Sequence, residues 1–328
     1  MFGWSKAKKQ WSFYPFSWLP DDTYWLELVI FIHIYALAAY LAIKEWIFDK
    51  FHGQRIEKEL MKMLENPTGN ERRALVTGCD GTIGKEICRI LLENDYIVQG
   101  FSLRNTYYKD ILRDVSLFDV DLRDYSEVKE VTEHFKRKGF QYDVAVFAAG
   151  IMLAPENPKY PGIEVHNDVN VVAQLSLFNV LKKQIRRSIF LSSATARMAC
   201  YPLNDNFLST RIGPYQAYST SKLNLSVAVE QMSLNKDVMV TVHPGTVPGR
   251  LYRHANWFVR LANYMWLPRL MRTPRQAAIM VLHTVLRDDL KNGRYYEDTV
   301  DYDVTEWMEM ERRMKVLAKL EKKFSKFL

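Results

Sequence analysis

Residues 72–94 constrain this chain more than any other stretch. A short apolar run, Ala74, Leu75 and Val76, fits a buried strand, and it breaks at Thr77-Gly78 into a loop with glycines at 78, 81 and 84. Beyond the loop the apolar period turns helical, with Ile83, Ile87, Ile90 and Leu91 on one face. Strand, glycine turn and helix in that order hold a pyrophosphate. Glycine lets the backbone turn sharply and approach the ligand, and the helix N-terminus offers unpaired N–H groups and a positive dipole end. Thr77, Gly78, Asp80, Gly81, Thr82, Ile83 and Gly84 are therefore candidate dinucleotide contacts. Glycine triplets also occur in ordinary strand-to-helix loops; the flanking elements favour the binding reading here.

A chain of 328 residues, 48% hydrophobic, has room for one large α/β domain with appendages. Its 45 Lys and Arg exceed its 38 Asp and Glu, and much of the excess sits at Lys6, Lys8 and Lys9 and at Lys315, Lys319, Lys322, Lys323 and Lys326. No zinc-finger spacing or other nucleic-acid motif accompanies these charges, so an anionic membrane surface is the expected partner and nucleic acid is not. Cys79, Cys88 and Cys200 form neither a disulfide framework nor a metal cluster. They read as reduced thiols in or facing the cytosol, and no metal is expected.

Residues 1–20 are aromatic and basic, and residues 21–50 read as a hydrophobic anchor helix flanked by Trp18, Trp25 and Trp46. At the helical rise, Leu28 to Ile43 covers roughly 24 Å, somewhat short of a ~30 Å hydrocarbon core. Glu27 and His33 keep open a helix packed on the domain instead. A polar helical connector fills 51–70 and ends at Pro67 and Gly69. From residue 71 to about 300, strands and helices alternate as in a doubly wound Rossmann fold with a single, mostly parallel sheet. Seven strands are expected, the last at 294–297. Residues 301–328 carry a basic amphipathic helix.

The second signal is Tyr218-Ser219-Thr220-Ser221-Lys222 on a predicted helix, where Tyr and Lys at i and i+4 share a face. A free phenol has a pKa near 10, and a neighbouring ammonium favours the phenolate, so the pair can exchange a proton with an alcohol or carbonyl. A strand ending in Ser192-Ser193 precedes it and supplies a hydroxyl for the same oxygen. Tyr215 is the rival phenol, without a lysine at i+4.

Thr77-Gly78, Ser193, Tyr218 and Lys222, in this order and on these elements, resemble the short-chain dehydrogenase/reductase superfamily. The surrounding Ser192-Ser193-Ala194-Thr195, His243-Pro244-Gly245-Thr246-Val247 and Thr273-Pro274 resemble its retinol-dehydrogenase-like branch, with the X-linked dehydrogenase/reductase subgroup the nearest likeness. The resemblance implies that Ser193 orients the substrate oxygen, Tyr218 is the acid/base, Lys222 lowers its pKa and holds the nicotinamide ribose, and Asn170, with Asn167 as neighbour, completes a relay. It also implies cofactor contacts at Asp121, Ala149, Gly150, Pro244 and Gly245. Three departures stand out. Thr82 occupies a fingerprint glycine position, Ala148 replaces a sheet-stabilising asparagine, and Gly249 stands where a carboxamide-binding threonine is usual, with Thr246 as its substitute.

The second strand ends without an acid, and Ser102 with Arg104 suits a 2′-phosphate, so NADP is expected with NAD as the alternative. Residues 255–272 are strongly apolar and dotted with Arg253, Arg260, Arg269 and Arg272, which fits a substrate lid that dips into lipid with its arginines at head groups; an ordinary buried helix pair is the alternative. The expectation is a membrane-associated oxidoreductase interconverting a lipophilic alcohol and its carbonyl. The resemblance implies a retinoid, polyprenol, steroid or fatty substrate, and an endoplasmic-reticulum location with a cytosolic catalytic domain, a lipid droplet or mitochondrion being alternatives. A homo-oligomer is compatible with the chain, and a weakly catalytic nucleotide-binding scaffold that recruits partners is the alternative function.

Overall fold

The computed structural model describes residues 23–67, 69–103, 114–155, 164–199, 213–233, 238–265, 267–306 and 308–324. The aromatic N-terminal segment, Arg104 and Cys200 lie outside them. The chain begins with α1 (Thr23–Leu64) and enters the sheet at β1 (Arg72–Thr77). Then come α2 (Thr82–Leu92), β2 (Tyr96–Ser102), β3 (Ser116–Asp119), α3 (Tyr125–Lys138) and β4 (Val144–Phe147). The second half runs α4 (Val165–Asn167), a π-helical turn (Asp168–Ala173), α5 (Gln174–Leu181), β5 (Ser188–Leu191), α6 (Pro214–Ser233) and β6 (Met239–His243). It ends with α7 (Trp257–Met265), α8 (Leu267–Leu270), α9 (Pro274–Leu286), β7 (Tyr295–Glu297), β8 (Val300–Tyr302) and α10 (Met310–Phe324).

Strands that alternate with helices must pair in parallel, and the sheet order is β3-β2-β1-β4-β5-β6-β7-β8. Its central strands are apolar on both faces, β4 and β5 being buried throughout, because helices cover each side. One layer packs Phe147, Phe178 and Phe190 with Leu223; the other packs Ile87, Val146 and Val242 with Leu282. The order reverses between β1 and β4, and that switch point opens the crevice at the strands' carboxyl ends where such sheets bind ligands. β8 is an eighth strand beyond the seven expected. It pairs antiparallel with β7 across a two-residue turn in which Asp298 and Thr299 both have positive φ. That turn usually announces itself as Asn-Gly or Asp-Gly, so Asp-Thr hides it.

The hydrophobic segment and the polar connector form one 42-residue helix. Ile34, Leu41, Ala42, Glu45, Ile56, Leu60 and Leu64 recur at helical spacing, and all are buried against the domain. Polar side chains fasten that face. The Glu45 carboxylate accepts from Thr246 N and Thr246 Oγ1, both at 2.7 Å, and pairs with His243 Nε2 at 3.1 Å. Arg272, fully buried, bridges Asp49 and Asp298 at 2.8 Å each, and Lys44 meets Asp298 at 3.0 Å. Arg272 therefore cannot reach lipid head groups, contrary to the expectation for the lid arginines. The opposite face of α1 leaves Ile32, Tyr40, Ile43, Ile47 and Phe51 exposed.

The tail helix α10 lies on the domain, with Val316, Leu317 and Leu320 buried in the core. Arg313 reaches Glu230 on α6, and Lys323 reaches Asp168 at 2.9 Å. Removing one partner of a buried ion network leaves the others uncompensated. Arg272→Met should therefore destabilise the chain by about 3 kcal/mol or more in urea unfolding followed in detergent; a loss below about 1 kcal/mol would show that the network does not hold α1.

Candidate active site

At the switch point, glycines are required by close approach. Gly78 has a φ of +64°, and a Cβ there would lie 2.7 Å from Ala149 Cα; one on Gly84 would lie 2.1 Å from Gly78 O. These contacts press the β1 loop against the end of β4 and the first turn of α2, leaving a floor on which backbone is exposed to the cavity at Gly78, Gly81 and Gly84. Thr77 is buried, and its hydroxyl works inside the sheet. It donates to Gln174 Oε1 at 2.9 Å and accepts from Ala149 N at 3.1 Å. Gln174 Nε2 in turn donates to Ala149 O at 2.6 Å. Gln174 thereby ties the end of β4 to β1 where Ala148 lacks the usual amide side chain.

The floor opens into a cavity of about 1070 Å³. Of the residues singled out from the sequence, Gly78, Asp80, Gly81, Thr82, Ile83, Gly84, Ser102, Asp121, Ala149, Gly150, Ser193, Tyr218, Lys222, Pro244, Gly245 and Thr246 all line it. Thr77 and Asn170 stand behind that lining. The volume exceeds the ~300–1,000 Å³ of an ordinary small-ligand pocket, leaving room for two ligands side by side.

Tyr218 and Lys222 sit on α6, which is buried along most of its length because it packs against α10 and the π turn. Ser193, held extended at the end of β5, caps the following turn by accepting from Thr195 N and hydrogen-bonds the Tyr218 phenol. Ser192 is structural, donating to Lys222 O at 3.0 Å. Lys222 Nζ donates to Leu191 O at 2.7 Å and lies 5.7 Å from the centre of the Tyr218 ring. Tyr215 turns the other way, its hydroxyl 3.4 Å from that of Tyr35 on α1, so the rival phenol is outside the site.

Asn170 occupies the π-helical turn, which rotates it out of the helical ladder. Its Oδ1 accepts from Ile151 N at 2.8 Å, and its Nδ2 donates to Ile151 O and Ser221 Oγ. The amide thus holds the chain beyond β4 in place. A Cβ on Gly150 would sit 3.4 Å from Asn170 Oδ1 and 3.6 Å from Lys222 Nζ, so this glycine separates the two.

Electrostatics depart from the sequence expectation. Burial raises the Tyr218 phenol well above its ordinary value, outweighing the hydrogen bond from Ser193, which lowers it. Burial also lowers Lys222 to about 7. Without water around them, both groups favour the neutral form, and an ammonium that is itself destabilised does little to acidify a neighbour. Tyr252 is a second phenol on the cavity wall, pushed by burial to about 12.

Two further deviations concern the cofactor side. Thr246, the expected substitute for the carboxamide-binding threonine, lines the cavity and gives both its N–H and its hydroxyl proton to Glu45. Gly249 instead approaches the loop, where a Cβ would lie 2.3 Å from Thr82 Oγ1. At the other end, Asp121 pairs through both oxygens with Arg123. Arg123, Arg250 and Arg253 all line the cavity, and Arg253 is lowered by burial and then by Arg250 and Arg123. Arg123 is matched by Asp121 and Arg250 by Asp80 at 3.4 Å, so the rim holds paired charges with Arg253 beside them. The glycine loop at the switch point and the Tyr218–Lys222 end of one cavity together fit a nicotinamide dinucleotide.

Residues 74–262 match the NAD dependent epimerase/dehydratase family. The chain belongs to that family. It is a short-chain dehydrogenase/reductase and therefore a nicotinamide-dependent oxidoreductase. It is 26% identical over 257 residues to a human polyprenol dehydrogenase, covering 70% of this chain and 77% of that one. It is 26% identical over 244 residues to human retinol dehydrogenase 12, covering 68% and 77%. Among solved structures, an uncharacterized Mycobacterium Paratuberculosis protein aligns with a TM-score of 0.60 at 20% identity, over 80% of this chain and 97% of that one. The Pseudomonas aeruginosa RhlG/NADP complex aligns with a TM-score of 0.52 at 20% identity, over 68% and 93%. These structural likenesses carry the fold.

Gly84→Ala should weaken NADPH binding by at least about tenfold, because its Cβ meets backbone that cannot retreat. Gly81→Ala, with its Cβ 3.0 Å from Gly78 O, should cost less. Fluorescence titration with NADPH checks both, and equal affinities would contradict the close-packed floor.

Proposed function

We propose that this chain interconverts a long-chain lipophilic alcohol and its carbonyl compound with NADP as cofactor, at a membrane surface. The observation that carries this reading is the Ser193–Tyr218–Lys222 end of a cavity whose far wall is apolar. Names of relatives support the substrate class, polyprenol and retinol both being long apolar alcohols. The end of β2, Gly100-Phe101-Ser102, offers no acid to a ribose 2′-hydroxyl, which supports NADP over NAD, and the NADP complex of a structural neighbour agrees with it.

When bound, the nicotinamide supplies or receives the hydride. The protein's own groups handle the proton and the geometry. Ser193 holds the substrate oxygen by a hydrogen bond. Tyr218 gives that oxygen a proton in reduction and takes one in oxidation. Lys222 sits where it can contact the ribose, while Asn170 positions the neighbouring backbone. The raised phenol pKa leaves Tyr218 protonated at neutral pH, which is the form that donates to a carbonyl. Oxidation needs the phenolate, so its rate should climb with pH from 7 into the alkaline range. Reduction should hold near neutrality and fall only as the phenol ionises.

The membrane reading rests on two exposed apolar surfaces. α1 presents Ile32, Tyr40, Ile43, Ile47 and Phe51, and α7 with α8 presents Trp257, Phe258, Tyr264 and Leu270, with Arg260 and Arg269 exposed among them. Helices with one such face lie in the interface plane with arginines at head groups. The apolar stretch of α1 is long enough to cross a membrane, yet its lower part is fastened to the domain by Glu45 and Asp49, which favours lying on the membrane over spanning it. The free, buried thiols of Cys79 and Cys88 suit a domain facing a reducing compartment.

Tyr218→Phe should retain NADPH affinity within about twofold and lower turnover of a retinal or polyprenal by about a hundredfold or more, the usual worth of a positioned acid/base. Undiminished turnover would remove the assignment.

A further inference from the structure

The cavity wall facing the catalytic tyrosine is not made by the nucleotide-binding domain alone. α1 contributes a broad arc to it, with Ile34, Ala38, Leu41 and Ala42 along the middle of that arc. Across from them stand Leu267, Leu270 and Met271, on and just after α8. Both ends of this stretch of α1 are pinned. Tyr35 meets Tyr215 through its hydroxyl and ring edge, and Glu45 is locked to His243 and Thr246. Those two anchors lie ten positions apart, about 15 Å along the helix. Between them the small side chains of Ala38 and Ala42 leave space that the helix cannot close by moving inward without breaking the Glu45 contacts.

We propose that α1 is a specificity-determining wall of the active site, and that the trough beside Ala38 and Ala42 holds the hydrocarbon chain of the substrate while its oxygen sits at Ser193 and Tyr218. This rests on the alcohol–carbonyl reading above. The trough is lined on both sides by aliphatic side chains, so apolar matter gains by leaving water there and polar matter does not. The segment that resembles a simple anchor is then part of the enzyme, and the length of chain the enzyme prefers is set by how far the trough runs along α1.

The test uses the full chain in detergent micelles and two substitutions of the same kind. Ala38→Phe fills the trough. Ala36→Phe places the same ring on the exposed face of the same helix, outside the cavity. Turnover of hexadecanal and butanal with NADPH is measured beside binding of the fluorescent polyene parinaric alcohol and of NADPH. Ala38→Phe should lower kcat/KM for hexadecanal, and the affinity for parinaric alcohol, by about tenfold or more. It should leave butanal turnover and NADPH affinity within about twofold, and Ala36→Phe should alter none of them. Equal losses for both variants, or for both aldehydes, would overturn the proposal, as would failure of the unaltered chain to bind parinaric alcohol. If neither aldehyde turns over but Ala38→Phe selectively weakens parinaric alcohol, the wall stands and the alcohol–carbonyl reading falls.

Discussion

Lys222 carries an ammonium group into a place with almost no water, and the surrounding structure answers that cost. The carbonyl at the end of β5 accepts from it, and the π turn holds the adjoining chain through Asn170. An unpaired buried charge would cost several kcal/mol, so the lysine gives up proton affinity and titrates at about 7. The same burial raises the phenol one helical turn earlier. What results is a site poised in its neutral state, in which a bound ligand's charges decide which way the proton moves. Such displaced pKa values in a cleft are the signature expected of working acid/base groups.

The second organising feature is the seam between α1 and the loop after β6. Glu45 satisfies a backbone N–H, a hydroxyl and a histidine at once, and Arg272 gathers Asp49 and Asp298 behind it. Gly245 is obliged to be glycine here, with φ at +101° and a Cβ that would lie 2.8 Å from the Arg272 side chain. The hydrophobic helix is thereby coupled to the loop beside the reacting end of the cavity. A segment that could have been a tether instead lines the cavity along part of its length, and its other side exposes Ile32, Tyr40, Ile47 and Phe51.

Local chemistry was legible in the sequence, and distant pairing was not. The glycine loop and the Tyr218–Lys222 pair were readable because turn and i,i+4 geometry are set within a few residues. The doubly wound, mostly parallel sheet followed from alternation. Gln174 escaped notice because its partners, Thr77 and Ala149, are 97 and 25 positions away. Glu45 gives no local sign of its role, since its partners lie about two hundred residues downstream. The direction of the Tyr218 shift was misjudged for a related reason. Spacing reveals the neighbouring ammonium, whereas depth of burial, the larger influence, belongs to the tertiary fold.

The central claim is that this cavity moves a hydride between a nicotinamide and the carbon whose oxygen Tyr218 serves. Incubating the full chain with hexadecanal and NADPH deuterated at the transferable C4 position, followed by mass spectrometry of the product, tests it most directly. The account predicts hexadecanol carrying the label on its carbinol carbon, formed in step with loss of the label from the cofactor. Unlabelled alcohol, or labelled cofactor recovered intact beside unreacted aldehyde, would contradict it.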